Sequence, residues 1–122
     1  MRTDVKTIVR AALLDNASLV TLLGGQRIYQ SAAPKADEYP RITFFEVDNR
    51  DSDFADDEAY ASSIVVQIDI WSKSSTSTIT GEVAKTMKAE GWSRSLAADQ
   101  YEDGVQVHHK VLRYRTKMLE TE

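Results

Sequence analysis

The apolar positions in the first quarter of the chain repeat with the spacing of an α-helix. Over residues 5–13 they fall at i, i+3, i+4, i+7 and i+8, which places them on one face. Thr3 is the expected N-cap of this helix, because its hydroxyl can accept a hydrogen bond from a free backbone N–H. Asn16 interrupts the pattern and is expected to cap a second helix over residues 17–23. The glycines at 24–25 end it, since glycine adopts the left-handed conformation that commonly follows a helix.

The middle of the chain alternates between apolar and polar residues, which is typical of strands with one buried face. The alternation is most regular over residues 62–71, where one set of positions is purely aliphatic: Ile64, Val66, Ile68 and Ile70. A second strand is expected over residues 40–47, where Ile42, Phe44, Phe45 and Val47 are apolar. Pro40 is compatible with its first position, which needs no ladder N–H. These two strands are expected to form a long antiparallel hairpin, preceded by a short strand at 27–29 and a loop at 30–39.

The last third of the chain predicts one helix and two strands. The helix is expected over residues 76–90, where apolar residues recur one turn apart and a glycine follows. One strand is expected over 92–96 and a longer one over 105–116, where apolar and polar residues alternate. The Asp-Gly pair at 103–104 favours a tight hairpin turn between them. Residues 117–122 are expected to be a frayed tail.

This order of elements predicts an α+β fold. Strands joined by short turns favour antiparallel pairing, and grouped helices can cover the apolar side of the sheet. We therefore expect an antiparallel four- to five-stranded sheet with helices packed on one face. The length of 122 residues fits a single domain over 1–122.

Composition narrows the functions that this domain can have. The chain has no cysteine, which excludes disulfides, thiol catalysis and thiolate metal ligands. Its formal net charge of −4 gives no electrostatic reason to wrap DNA, because that requires clustered Lys and Arg. The longest apolar runs are too short to cross a membrane, so no membrane partner is expected.

Residues 48–58, with the sequence DNRDSDFADDE, carry six carboxylates and are predicted to form a mobile acidic loop. Calcium loops need ligands at alternating positions, a glycine at the bend and a closing glutamate. This segment has no glycine and places an alanine at a ligand position, so it does not fit. Three interpretations of this segment remain open: a solvated connection, a negative rim that repels DNA, and a surface that binds a partner. The candidate partner- or channel-facing residues are Asp48, Asp51, Asp53, Phe54, Asp56, Asp57 and Glu58.

The two histidines of the chain, His108 and His109, are adjacent. Neighbouring residues on a strand point to opposite faces, so the pair cannot share a metal ion without a bulge. We therefore predict no metal site, no cofactor and no catalytic residue, with one histidine half-buried and the other facing solvent. A small acid–base enzyme that uses His109 with a carboxylate remains an alternative.

Two apolar residues lie on the polar side of the most regular strand. Val65 and Trp71 alternate with the aliphatic set and are therefore expected on the face opposite the helices. Exposed apolar groups on such a face commonly mark association with another chain. Val65 and Trp71 are the candidate interface residues, against the alternative that they pack at the edge of their own sheet.

Five segments spread over almost the whole chain carry a family resemblance. They are the junction 22–29 (LLGGQRIY), the pair 33–34 (AP), the strand opening 39–44 (YPRITF), the strand 66–72 (VQIDIWS) and the closing strand 109–114 (HKVLRY). In these segments the chain resembles the tail completion proteins, also called tail-to-head joining proteins, of long-tailed bacteriophages and prophages. The segments are structural signatures and none is a catalytic motif. Tail terminator proteins share a similar α+β build and are the neighbouring alternative.

The resemblance implies a non-enzymatic structural protein of the virion. Such proteins join the tail to the head–neck connector as a ring, usually of six copies, around the channel through which DNA passes without being specifically bound. The implied partners are further copies of the chain, the head–neck connector protein and the tail tube protein. The implied location is the head–tail interface of the virion, after assembly in the cytoplasm of the bacterial host. The alternatives are a tail terminator, which caps growth of the tube, and the small acid–base enzyme.

Overall fold

The computed structural model describes residues 1–120, which form three helices and a five-stranded sheet. The helices are α1 (Val5–Leu14), α2 (Ala17–Leu23) and α3 (Ser77–Ala89). The strands are β1 (Ile28–Gln30), β2 (Arg41–Ala55), β3 (Glu58–Ser72), β4 (Ser93–Glu102) and β5 (Val107–Leu119). The strand order in the sheet is β1-β2-β3-β5-β4. The predicted α+β class, with its four- to five-stranded sheet, is confirmed.

Most of the sheet is antiparallel, as predicted. The pairs β2–β3, β3–β5 and β4–β5 are antiparallel, which confirms both expected hairpins. β1 is the exception, because it pairs in parallel with β2, with Ile28 opposite Ile42. Parallel strands cannot be joined by a tight turn, and the segment 31–40 carries the chain back to the starting end of β1.

One hydrophobic core lies between the helices and one face of the sheet. The helices bury the apolar stripes that the sequence predicts: Val5, Val9, Leu13, Leu19, Leu23, Ile79, Val83 and Met87. These residues form one cluster with the aliphatic set of β3 and with buried residues of the neighbouring strands, among them Ile42, Phe44, Leu112 and Tyr114. The helices therefore cover one face of the sheet, as predicted. The opposite face is called the outer face below.

Local hydrogen bonds determine where the first two helices begin. Asn16 caps α2 as predicted, because its Oδ1 accepts from the Leu19 N–H at 3.1 Å and its Nδ2 donates to a threonine hydroxyl of α3 at 3.0 Å. The N-cap of α1 is Asp4, so the prediction of Thr3 is wrong by one residue. The Asp4 carboxylate makes no capping bond, because it accepts two hydrogen bonds from the Arg2 guanidinium.

The prediction of an acidic loop at 48–58 is wrong, because this segment is the far end of the β2–β3 hairpin. The strands stay paired as far as Ala55 opposite Glu58, with Asp56 and Asp57 as a two-residue turn. Both turn residues have positive φ, 52° and 62°, as a type I′ turn requires. All seven candidate residues of the segment therefore lie on paired strands or in the turn. The segment 48–58 is called the hairpin end below.

Ion pairs reduce the repulsion among three of the six carboxylates in the hairpin end. Asp48 pairs with Arg50, two residues away. Asp53 pairs with Lys117 of β5 at 3.0 Å, and Asp51 lies 3.2 Å from the α-amino group. Charged residues have low strand propensity on their own, so the local pattern indicated a loop. The partners of Asp51 and Asp53 are near only in the folded chain, and they reduce the repulsion.

The predicted frayed tail at 117–122 is wrong for the residues that the structure describes. β5 continues to Leu119, which pairs with Ala61 of β3. The backbone N–H of Glu120 donates to the Tyr60 carbonyl at 2.9 Å. The last two residues lie outside the described chain. β5 therefore flanks β3 almost to the turn of the hairpin end.

Candidate functional site on the outer face and the hairpin end

Trp71, a predicted interface residue, packs on the outer face within its own chain. Its indole ring stacks on the His109 ring of β5, with centroids 3.7 Å apart and planes 13° apart. Its Nε1–H donates to Thr43 Oγ1 of β2 at 3.0 Å. The side chain is half-buried as a result. These contacts give Trp71 a packing role, and a contact with a partner remains a proposal.

His109 and Asp69 form a buried pair beside Trp71. His109 Nε2 lies 2.7 Å from Asp69 Oδ1, and the two residues are only 8% and 5% exposed. The two side chains share one proton in this bond, and an ionised carboxylate in the pair can only accept it. The Gln67 amide also donates to Asp69, at 3.1 Å, and Arg113 Nε donates to Gln67 Oε1 at 2.9 Å. Together with the Trp71 contacts, these bonds form one polar row across β2, β3 and β5.

No local sequence pattern predicts the pairing of Asp69 with His109. The two residues are 40 positions apart, on strands that are not consecutive in the chain. The only local indication of a pair was that each residue occupies a polar position in a strand where apolar and polar residues alternate. The β3–β5 register, with Trp71 opposite His109, is what brings them together.

A histidine held by a carboxylate can act in acid–base catalysis, but the surroundings of His109 favour a packing role. Its other ring nitrogen, Nδ1, is buried without a hydrogen bond within residues 1–120, with a Glu102 oxygen 3.5 Å away. One face of the ring is covered by Trp71. A general base must reach the proton that it removes. His108 points to the other face, as predicted, where it is exposed and meets the Tyr101 ring edge-on.

The described residues contain neither a cluster of metal ligands nor a membrane-spanning helix. Among residues 1–120, no group of three or more His, Asp or Glu side chains is arranged to hold a metal ion. No helix in this range is long and apolar enough to cross a membrane. The longest, α3, has 13 residues, against the roughly 20 apolar residues that a bilayer core requires.

Basic side chains follow one another along the outer side of β5, at Arg113, Arg115 and Lys117. Val65, a predicted interface residue, is half-buried opposite Arg115 in the register. Lys117 pairs with Asp53, whereas the exposed Arg115 guanidinium has no ion-pair or hydrogen-bond partner within residues 1–120. A surface cavity of about 380 Å³ opens here and is called the basic cavity below. Its lining residues are Ser63, Gly91, Ser93, Arg115, Thr116 and Lys117.

The turn of the hairpin end has the opposite charge. Asp56, Asp57 and Glu58 are exposed, and none of them makes an ion pair within residues 1–120. Phe54, close to the turn, is 63% exposed. The three carboxylates at the turn thus differ from Asp48, Asp51 and Asp53, which have partners within the chain.

Residues 7–119 match one family of bacteriophage tail structural proteins. The family is Tail completion protein gp17, and the chain belongs to it, which confirms the resemblance seen in the sequence. No curated protein matches the chain. Among solved structures, the chain is similar to a chain in the virion of a native gene transfer agent particle, with 14% identity and a TM-score of 0.66 over 91% of each chain. At this identity the similarity shows the shared fold alone.

Proposed function

We propose that this chain joins the phage tail to the head–neck connector, as one subunit of a homo-oligomeric ring around the DNA channel. The observation that carries the proposal is the family match, which spans residues 7–119. The family is named for completion of the tail, and a completed tail must then bind a head. The proposed partners are the head–neck connector protein, the tail tube protein and further copies of the chain, six in one ring.

The surfaces of the molecule support a role in assembly. The burial of His109 against Trp71 and Asp69 favours a function without bond chemistry. The unpaired charges of the hairpin end and the basic cavity can select partners, because complementary charge favours one orientation over others. A net charge of −4 suits a channel for DNA, since attraction to the wall would slow passage. The proposed location is the head–tail interface of the virion, after assembly in the host cytoplasm.

Deletion of the gene in its phage or prophage tests the joining role. We expect the lysate to contain DNA-filled heads beside separate tails of normal length, because only the joint between two finished parts is missing. Negative-stain electron microscopy of the lysate measures this directly. Supplying the intact chain in trans is the control, and it must restore joined particles.

Two other results would contradict the joining role, each in its own way. Overlong tails would show that the chain caps growth of the tube, which is the role of a tail terminator. Joined particles of normal appearance and infectivity would overturn both structural roles.

A further inference from the structure

We propose that the turn of the hairpin end docks in the basic cavity of a second copy of this chain. The contact brings Asp56, Asp57 and Glu58 of one copy against Arg115 of the next, beside the ion pair of Lys117 and Asp53. It rests on the proposed function in one respect, since that function brings several copies together at one joint. The residues in contact, however, are inferred from the charges and distances of this chain alone.

A single copy cannot make this contact with itself. Seven positions of β3 separate Glu58 from Val65, and Arg115 lies beside Val65 in the register. At about 3.3 Å per strand residue, the turn is roughly 23 Å from Arg115 within one copy. Lys117 is nearer the turn, but its ammonium already pairs with Asp53. Within residues 1–120 of one copy these carboxylates therefore have no cation in reach, and a basic partner for them has to come from another chain.

The basic cavity has the chemistry to bind carboxylates. The Arg115 guanidinium has no partner within residues 1–120, and such a group binds a carboxylate through two parallel hydrogen bonds. Ser63 and Ser93 in the cavity wall supply hydroxyl donors. The charge of Lys117 is balanced by Asp53, so Arg115 is the cation left for an incoming carboxylate.

The two halves of the contact are different surfaces, so each copy can use both of them once. A head-to-tail contact of this kind closes into a ring when the rotation between copies allows it. Copies of net charge −4 repel one another at long range, and a local contact of opposite charges selects one orientation. Phe54, which is 63% exposed, adds apolar surface beside the turn. Leu96, which is 41% exposed and opposite Arg113, adds apolar surface on the receiving side.

Charge reversal on each side separately tests the contact. Glu58→Arg and Arg115→Glu are supplied in trans to the phage or prophage that lacks the gene, and joined particles are counted. Glu58 is chosen because Asp56 and Asp57 have positive φ, which arginine tolerates poorly. We expect each single reversal to lower the count about tenfold or more, because like charges then meet at every contact between copies. The double variant Glu58→Arg/Arg115→Glu is expected to recover most of the joined particles.

Arg94→Glu is the matched control, because Arg94 is an exposed arginine of β4 on the helix side of the sheet. This variant is expected to leave the number of joined particles unchanged. Circular dichroism of each purified variant verifies its fold. Single reversals that have no effect overturn the proposed contact. A double variant that joins no better than the single ones overturns it as well.

The lack of cysteine in the chain allows a direct readout of the same contact. A chain carrying Glu58→Cys and Arg115→Cys is expected to give a ladder of disulfide-linked copies on a non-reducing gel of oxidised, joined particles. Glu58→Cys with Arg94→Cys is expected to give none. Joined particles without a ladder overturn the contact and leave the joining role intact. A gene deletion that leaves normal particles overturns the joining role instead. If the chain with both cysteines does not support joining, the charge-reversal variants decide whether the contact forms.

Discussion

Replacing Phe44 with alanine is expected to destabilise the chain more than any other single change considered for this fold. Phe44 lies on the helix side of β2, fully buried in the cluster shared by the sheet and the helices. The substitution removes most of its apolar side chain and leaves a cavity, at a cost of about 3–5 kcal/mol. A domain of this kind is stable by only about 5–15 kcal/mol in total, so much of the variant is expected to be unfolded at growth temperature. Urea unfolding followed by far-ultraviolet circular dichroism measures the loss.

Phe45→Ala is the matched control for this prediction. Phe45 is the next residue on the same strand, faces outward and is 36% exposed. Its replacement is expected to cost about 1 kcal/mol or less, because no closed cavity forms. Equal losses at Phe44 and Phe45 would contradict a core confined to the helix side of the sheet.

Replacing His109 with alanine is expected to lower the free energy of unfolding by about 2–3 kcal/mol. The change removes the ring that stacks on Trp71 and the partner that lies 2.7 Å from Asp69. The Asp69 carboxylate then keeps only the Gln67 amide as a side-chain donor within residues 1–120. His108→Ala is the control, because His108 is exposed, and it is expected to change stability by less than about 0.5 kcal/mol.

The same variant separates a packing role for His109 from a catalytic one. If His109 only packs, the variant is expected to support joining at low growth temperature, where it is still folded, and to lose it at high temperature. If His109 acts as a general base, its loss abolishes activity at every temperature, even in folded protein. Loss of joining at low temperature in a chain with intact circular dichroism would therefore contradict the packing role.

The buried faces of this fold could be predicted wherever apolar residues recur at a regular spacing in the sequence. The aliphatic set of β3 and the stripes of α1 and α3 were predictable because periods of two and of about 3.6 residues each identify a face. The cap at Asn16 was predictable because side-chain capping is local. Each of these features depends on residues close together in the chain.

Features that depend on distant partners were predicted poorly. The hairpin end has the composition of a loop, yet it pairs as strands, and its ion pair between Asp53 and Lys117 joins residues 64 positions apart. The His109–Asp69 pair requires knowledge that β5 lies beside β3, which no local pattern contains. The parallel pairing of β1 depends likewise on the path taken by residues 31–40. The charged residues could therefore be identified in the sequence, but their positions in the fold could not be predicted from it.

A cryo-electron microscopy reconstruction of the head–tail joint tests the central claim most directly. We expect a closed ring of copies of this fold between the head–neck connector and the first ring of the tail tube, around the DNA channel. A joint whose density is fully explained by other chains would contradict it. Density for this fold found only at another position in the particle would contradict it equally.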